Sequence, residues 1–142
     1  YRFEDVSFQP QRPVPIWVGG EGRAARRRAG RFGDAWFSYY TRISAEDLTL
    51  RHEEVRAFAR EAGRDPDRVR LTACRPVEMT SAPQPADPTR LRGTPEQLAE
   101  ALRAYQAAGV DHLALQFMVP RWPDRFDQIE RFAAEVMPAL RS

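Results

Sequence analysis

The sequence predicts a parallel α/β fold, and three observations carry that reading. Short apolar runs of strand-forming residues alternate four times with longer stretches of helical period. Glycine, proline and aspartate turn residues bound each short run. The chain has 142 residues, 42% of them hydrophobic, which suits one folded domain spanning 1–142.

The elements follow in order. Residues 1–15 mix aromatic, acidic and proline positions without a period and end in Pro10, Pro13 and Pro15, so they predict an extended lead-in. Ile16, Trp17 and Val18 form a wholly apolar, β-prone run that reads as a strand buried on both faces, ended by Gly19 and Gly20. A helix is expected over 22–30, with Ala24, Ala25, Ala29 and then Phe32 on one side and arginines on the other. The segment Ala35 to Phe37 predicts a second strand. Ser44 is placed to cap a helix with Asp47 three residues on; Leu48, Val55, Phe58, Ala59 and Ala62 keep its period and Gly63 stops it.

A third strand is expected near Val69 to Ala73, with room to run further. Residues 80–93 contain Pro83, Pro85 and Pro88 without a period and predict a surface loop. The segment "GTPEQLAEALRAYQAAG" carries the clearest helix signal. Thr94 caps, Pro95 occupies the first turn, Gln97 completes a capping box, and Leu98, Leu102, Tyr105 and Ala108 form the stripe before Gly109. A fourth strand follows at His112 to Phe117, and Phe126, Ile129, Phe132, Val136 and Leu140 mark a closing helix. Four strand–helix units with right-handed crossovers describe either a small open sheet or half of an eight-unit barrel, which needs about 250 residues in full.

Composition excludes several classes. A net charge of +2 with interspersed acids gives no nucleic-acid footprint, and no apolar run is long enough to cross a membrane. The single cysteine, Cys74, forbids an intrachain disulfide and reads as a small buried hydrophobe in a reducing, cytoplasmic setting. His52 and His112 lack metal-site spacing, so no metal is expected; His52 reads as uninvolved and His112 as a packing residue at the start of its strand. All 22 basic residues are arginine, which we ascribe to GC-rich coding. Arg26, Arg27, Arg28 and Arg31 read as a solvated helix face. The chain opens on Tyr1 without a signal-peptide pattern and reads as part of something longer.

The first strand ends in Gly-Gly and a helix begins at the next glycine. Such a turn lets main-chain N–H groups converge on an anion where the helix dipole favours one. Gly19, Gly20, Glu21, Gly22 and Arg23 are therefore the candidate cradle, acting mostly through the backbone, with Arg23 as a charge partner. Glu21 opposes an anion unless its side chain turns to solvent. Strand-end residues Phe37, Ser38, Tyr39, Arg75, Glu78, Gln116, Phe117 and Met118 are the candidate pocket lining, with Arg75 and Gln116 as orienting groups. No nucleophile–base pattern, paired carboxylates or Walker loop is present, which directs attention to cofactor chemistry.

The stretches "VPIWVGGEGRAARRRAGRFGDAWF" and "RGTPEQLAEALRAYQAAGVDHLALQF", with the lead-in "FEDVSFQPQRPVPIW", resemble the bacterial luciferase-like monooxygenase family, which includes flavin-dependent and deazaflavin-dependent members. The resemblance implies a TIM (β/α)8 barrel of which this chain holds the C-terminal half, strands five to eight. It implies a cofactor, FMN or coenzyme F-420, whose phosphate lies in the glycine turn, and an oxidoreductase or monooxygenase acting on a small organic substrate. Ala35 stands where similar proteins usually carry glycine. Catalytic residues are expected in the absent half, leaving this fragment inactive by itself. Half a barrel has unpaired sheet edges, so pairing with the missing N-terminal half or with a second copy is expected. The alternative is a non-catalytic half-barrel that serves as a binding or dimerisation module.

Overall fold

The computed structural model describes residues 12–39, 42–119 and 121–140. Most of the predicted lead-in, residues 1–11, lies outside them.

Five strands form one parallel sheet: β1 (Trp17–Gly19), β2 (Ala35–Tyr39), β3 (Arg70–Met79), β4 (Leu91–Gly93) and β5 (Val110–Phe117). The helices α1 (Arg23–Phe32), α2 (Ala45–Glu61), α3 (Pro95–Ala107) and α4 (Asp124–Arg131) connect or follow them, and α4 runs on into a π-turn and a 3₁₀ turn that ends at Leu140. This is the predicted strand–helix alternation with one addition. The loop expected over 80–93 ends in β4, a three-residue strand that sequence periodicity is too short to reveal.

β3 organises the sheet. It pairs with β2 over Arg70–Cys74 and with β5 over Leu71–Val77, so those two strands flank it on opposite sides. Val77 pairs with both Phe117 of β5 and Leu91 of β4, which places β4 on the β2 side, above the end of β2. β3 is twice as long as the predicted Val69–Ala73 core, because neither Arg75 nor Pro76 interrupts the extended chain.

Strand alternation divides the side chains between two faces. Trp36, Leu71, Ala73, Val77 and Met79 join Val55, Ala59, Leu98, Leu102 and Tyr105 in the core between sheet and helices. The opposite face carries Trp17, Phe37, Tyr39 and His112. Here the expectation of a fully buried first strand fails: Trp17 is 40% exposed and Ile16 58%, since among the described residues β1 pairs on one side only. The face expected of α1 is also rotated. Ala25, Ala29 and Gly30 are buried, whereas Phe32 is 67% exposed.

Gly30 fixes that rotation. A Cβ there would lie 2.4 Å from the Val55 carbonyl oxygen and 2.8 Å from Phe58 Cβ, so α1 and α2 cross at glycine contact. Arg64, just past α2, donates to the Gly30 carbonyl at 2.5 Å and the Gly33 carbonyl at 2.8 Å, satisfying acceptors at the end of α1. The two predicted capping boxes are present. Asp47 N donates to Ser44 Oγ at 3.0 Å, and Thr94 N donates to Gln97 Oε1 at 3.2 Å.

Gln97 has a second task. Its Oε1 accepts from Gln84 N at 3.0 Å and its Nε2 donates to Gln84 O at 2.8 Å, pinning the proline-bearing loop to the start of α3.

Candidate functional site

The C-terminal ends of the parallel strands share one side of the sheet, and the turn after β1 opens there. Gly20 adopts φ +117°, and a Cβ on it would lie 2.9 Å from Ala25 Cβ. Only glycine satisfies both conditions. Its carbonyl accepts from the buried Trp36 Nε1 at 2.8 Å, which fixes the turn against β2. Gly22, the N-cap of α1, has φ −71° and supplies no side-chain bond, and a Cβ there would meet nothing within 4 Å. Folding therefore does not demand glycine at 22. Its absent side chain leaves clear space before the first turn of α1, where N–H groups point outward and the dipole favours an anion.

Glu21, which would oppose an anion unless turned to solvent, is instead held by partners across the turn. Its Oε1 accepts from Tyr39 N at 3.1 Å and its Oε2 from Arg51 at 3.3 Å, so the carboxylate reaches across to the end of β2 and is charge-paired there. Arg26 donates to the Glu21 carbonyl and, through Nε, to Glu54 at 2.6 Å. Arg23 is turned away from the turn: its Nε reaches Glu54 at 3.1 Å and its guanidinium lies 5.2 Å from the centre of the Phe58 ring. Its main-chain N–H, not its charge, is what faces the cap.

The predicted lining residues separate onto the two faces. Phe37 and Tyr39 lie on the inner face with ring centres 6.0 Å apart, and Trp17 lies 5.8 Å from Phe37. His112, near the start of β5, packs edge to face on Trp17 at 5.1 Å, as a packing residue would, but its remaining surface is exposed. Gln116 shares this face, and its Oε1 is buried without a hydrogen-bond partner among the described residues. Gly19 of β1 lies in register with Phe37.

Ser38, Arg75 and Phe117 point the other way. Arg75 is fully buried in the sheet–helix layer, donating to Tyr105 Oη at 3.2 Å, Ser38 Oγ at 3.3 Å and the Cys74 carbonyl at 2.7 Å. Phe117 packs edge to face on Phe132 at 5.7 Å. These three form the frame beneath the site. Their face follows from strand register, which the sequence reading did not resolve; Arg75 has three oxygen partners there, so its burial is compensated.

Arg26, read as part of a solvated helix face, is instead largely buried and holds the turn; Arg51 and Trp36, which also hold it, carry no local signal because their partners lie 30 and 16 residues away. His52 is likewise engaged. Its Nε2 lies 2.7 Å from the Val69 carbonyl, and burial holds its pKa below the ordinary value, a loss only partly offset by that hydrogen bond. Cys74 is buried as expected, and desolvation raises its thiol pKa. Among the described residues no cluster of metal-ligating side chains is present, and no helix is long and apolar enough to cross a membrane.

A parallel sheet with crossover helices, a glycine turn at the strand ends and an aromatic inner face define a protein of the half-barrel α/β class. Residues 1–89 match the luciferase-like monooxygenase family model, and the chain belongs to that family. It is 27% identical to an FMNH(2)-dependent dimethylsulfone monooxygenase of Pseudomonas putida, in an alignment covering 99% of this chain and 51% of the relative. Among solved structures it resembles an F420-dependent secondary alcohol dehydrogenase bound to an F420-acetone adduct, with a TM-score of 0.72 at 17% identity, covering 94% of this chain and 51% of that one. A riboflavin lyase with modified FMN and riboflavin superposes with a TM-score of 0.71 at 16% identity, over 96% of this chain and 45% of that one. The chain thus spans about half the length of the relatives it matches, and the shared architecture is half of a TIM barrel.

Proposed function

We propose that this chain is the C-terminal half-barrel of a flavin- or deazaflavin-dependent oxidoreductase or monooxygenase acting on a small organic substrate. Its own contribution is the loop that holds the cofactor phosphate. The observation that carries this reading is the contrast between two glycines. Gly20 is required by backbone conformation and by Ala25, whereas nothing among the described residues requires glycine at 22. Clear space in front of an uncapped ten-residue helix is what a phosphate needs.

The residues fit such a group. Main-chain N–H groups of Gly22 and Arg23 would hold the phosphate, with Arg51 neutralising Glu21 and with Arg23 and Arg26 neutralising Glu54. Trp17, Phe37 and Tyr39 offer an apolar wall on the inner face, and Gln116 Oε1 an unused acceptor. When bound, the cofactor supplies hydride transfer or oxygen activation; this half supplies position. The remaining barrel wall and the catalytic groups belong to four further strand–helix units, or to a second copy, packed over the open inner face. The fragment alone is inactive on this reading, and a reducing cytoplasmic setting suits its single thiol.

Comparison of FMN with riboflavin, which lacks the phosphate, tests the cradle. The protein purified from its native cell, with whatever completes its barrel, is titrated with each by flavin fluorescence. FMN should bind more tightly than riboflavin, and Gly22→Val should abolish that preference while leaving riboflavin binding unchanged. Equal affinities for the two flavins would remove the phosphate cradle, and no binding of FMN, riboflavin or coenzyme F-420 would remove the cofactor role.

A further inference from the structure

A second concave site lies at the same end of the sheet, away from the glycine turn. It is a cleft of about 250 Å³ bounded by Arg42, Pro76, Glu78, Arg90, Arg92 and Met118. It forms because β4 sits above the end of β2, bringing the chain after β2 (Arg42), the upper inner face of β3 (Pro76, Glu78) and both sides of β4 to one rim. We propose that this cleft binds an anionic group, a carboxylate, sulfonate or phosphate, carried by the substrate. This rests on the reading of the strand ends as the active side of the barrel.

The charge pattern carries the argument. Among the described residues, three guanidiniums line the cleft against one carboxylate, Glu78, and that carboxylate is committed to Arg92 at 3.0 Å. Arg42 and Arg90 form no ion pair among the described residues. Asp87 interacts electrostatically with both Arg90 and Arg42. Its carboxylate accepts from the Thr89 hydroxyl at 2.7 Å and the Thr89 amide at 2.8 Å, and these bonds, ahead of Arg90 and Arg42, hold its pKa low. Asp87 does not border the cleft, so its attraction moderates the two arginines without filling the space between them. Around the glycine turn, by contrast, arginines are matched to acids: Arg23 and Arg26 share Glu54, and Arg51 takes Glu21. A cleft that gathers two unmatched guanidiniums beside the exposed Met118 suits a molecule with an anionic head and an apolar body.

The loop that carries Thr89 and Arg90 is held by Gln97 through Gln84, so the rim is preorganised. No closing movement is needed to bring Arg90 to the cleft.

The test uses butanesulfonate as probe, butanol as its neutral control, and isothermal titration of the protein purified from its native cell. Butanesulfonate should bind and butanol should not. Arg42→Gln and Arg90→Gln should each weaken the sulfonate about tenfold or more, the effect of losing one charge-assisted contact. Both side chains are exposed, so the fold is expected to persist, and circular dichroism verifies it. Glu78→Gln, which removes the only carboxylate lining the cleft among the described residues, should tighten binding. Unchanged affinity in both arginine variants, or equal binding of sulfonate and alcohol, overturns the proposal. So does displacement of butanesulfonate by FMN at its phosphate, because the cleft would then be the cofactor's. Retention of the FMN preference in Gly22→Val, with the sulfonate results intact, would instead overturn the cradle alone.

Discussion

Gly20 and Gly22 are two residues apart and answer to different demands. One is held by φ +117° and the proximity of Ala25; the other faces open space. Glu21 between them spans to Tyr39 and Arg51, so a side chain that would repel an anion is satisfied before any anion arrives. His52 gives this scale its pH dependence. Its folded-state pKa is lowered by burial, so as pH falls below about 6.5 the unfolded chain takes up a proton that the folded chain refuses. Stability should be fully present above that pH and decline below it until the folded-state pKa is passed. Denaturant unfolding at stepped pH should show this decline, and His52→Gln should flatten it. The glycine turn was legible in the sequence because Gly-Gly after an apolar run is a local signal. The roles of His52, Arg26 and Arg51 were not, since each is defined by a partner on another element.

Among the elements, the helix ends were the most readable. Ser44 with Asp47 and Thr94 with Gln97 are three-residue relationships, and both form as the spacing predicts. The faces of the strands were less so. Ser38, Arg75 and Phe117 are strand residues next to site residues, and only register determines that they look toward the helices. A buried arginine read as a substrate anchor is instead a brace between β2, β3 and α3. The crossing of α1 and α2 depends on Gly30. Gly30→Ala should cost about 1–3 kcal/mol of stability, read from the shift in urea midpoint, because the new methyl meets the backbone of α2 at Val55 and Ala59 and neither can yield.

At the scale of the whole molecule, the strand–helix alternation fixed the layer order, but β4 and the open inner face emerge only in three dimensions. Trp17 and Tyr39 are 40% and 52% exposed, a large aromatic presence for an uncovered sheet. The isolated chain should therefore self-associate or bind a hydrophobic dye such as ANS. Sedimentation velocity showing a monodisperse monomer that does not bind the dye would mean that this face is content in water. The clamp made by Gln97 reaches further than its own helix cap. Because the same amide anchors the segment leading to Arg90, a substitution on the outer helical layer can change what the opposite side of the sheet admits, and ligand preference in this fold can drift through positions no ligand ever touches.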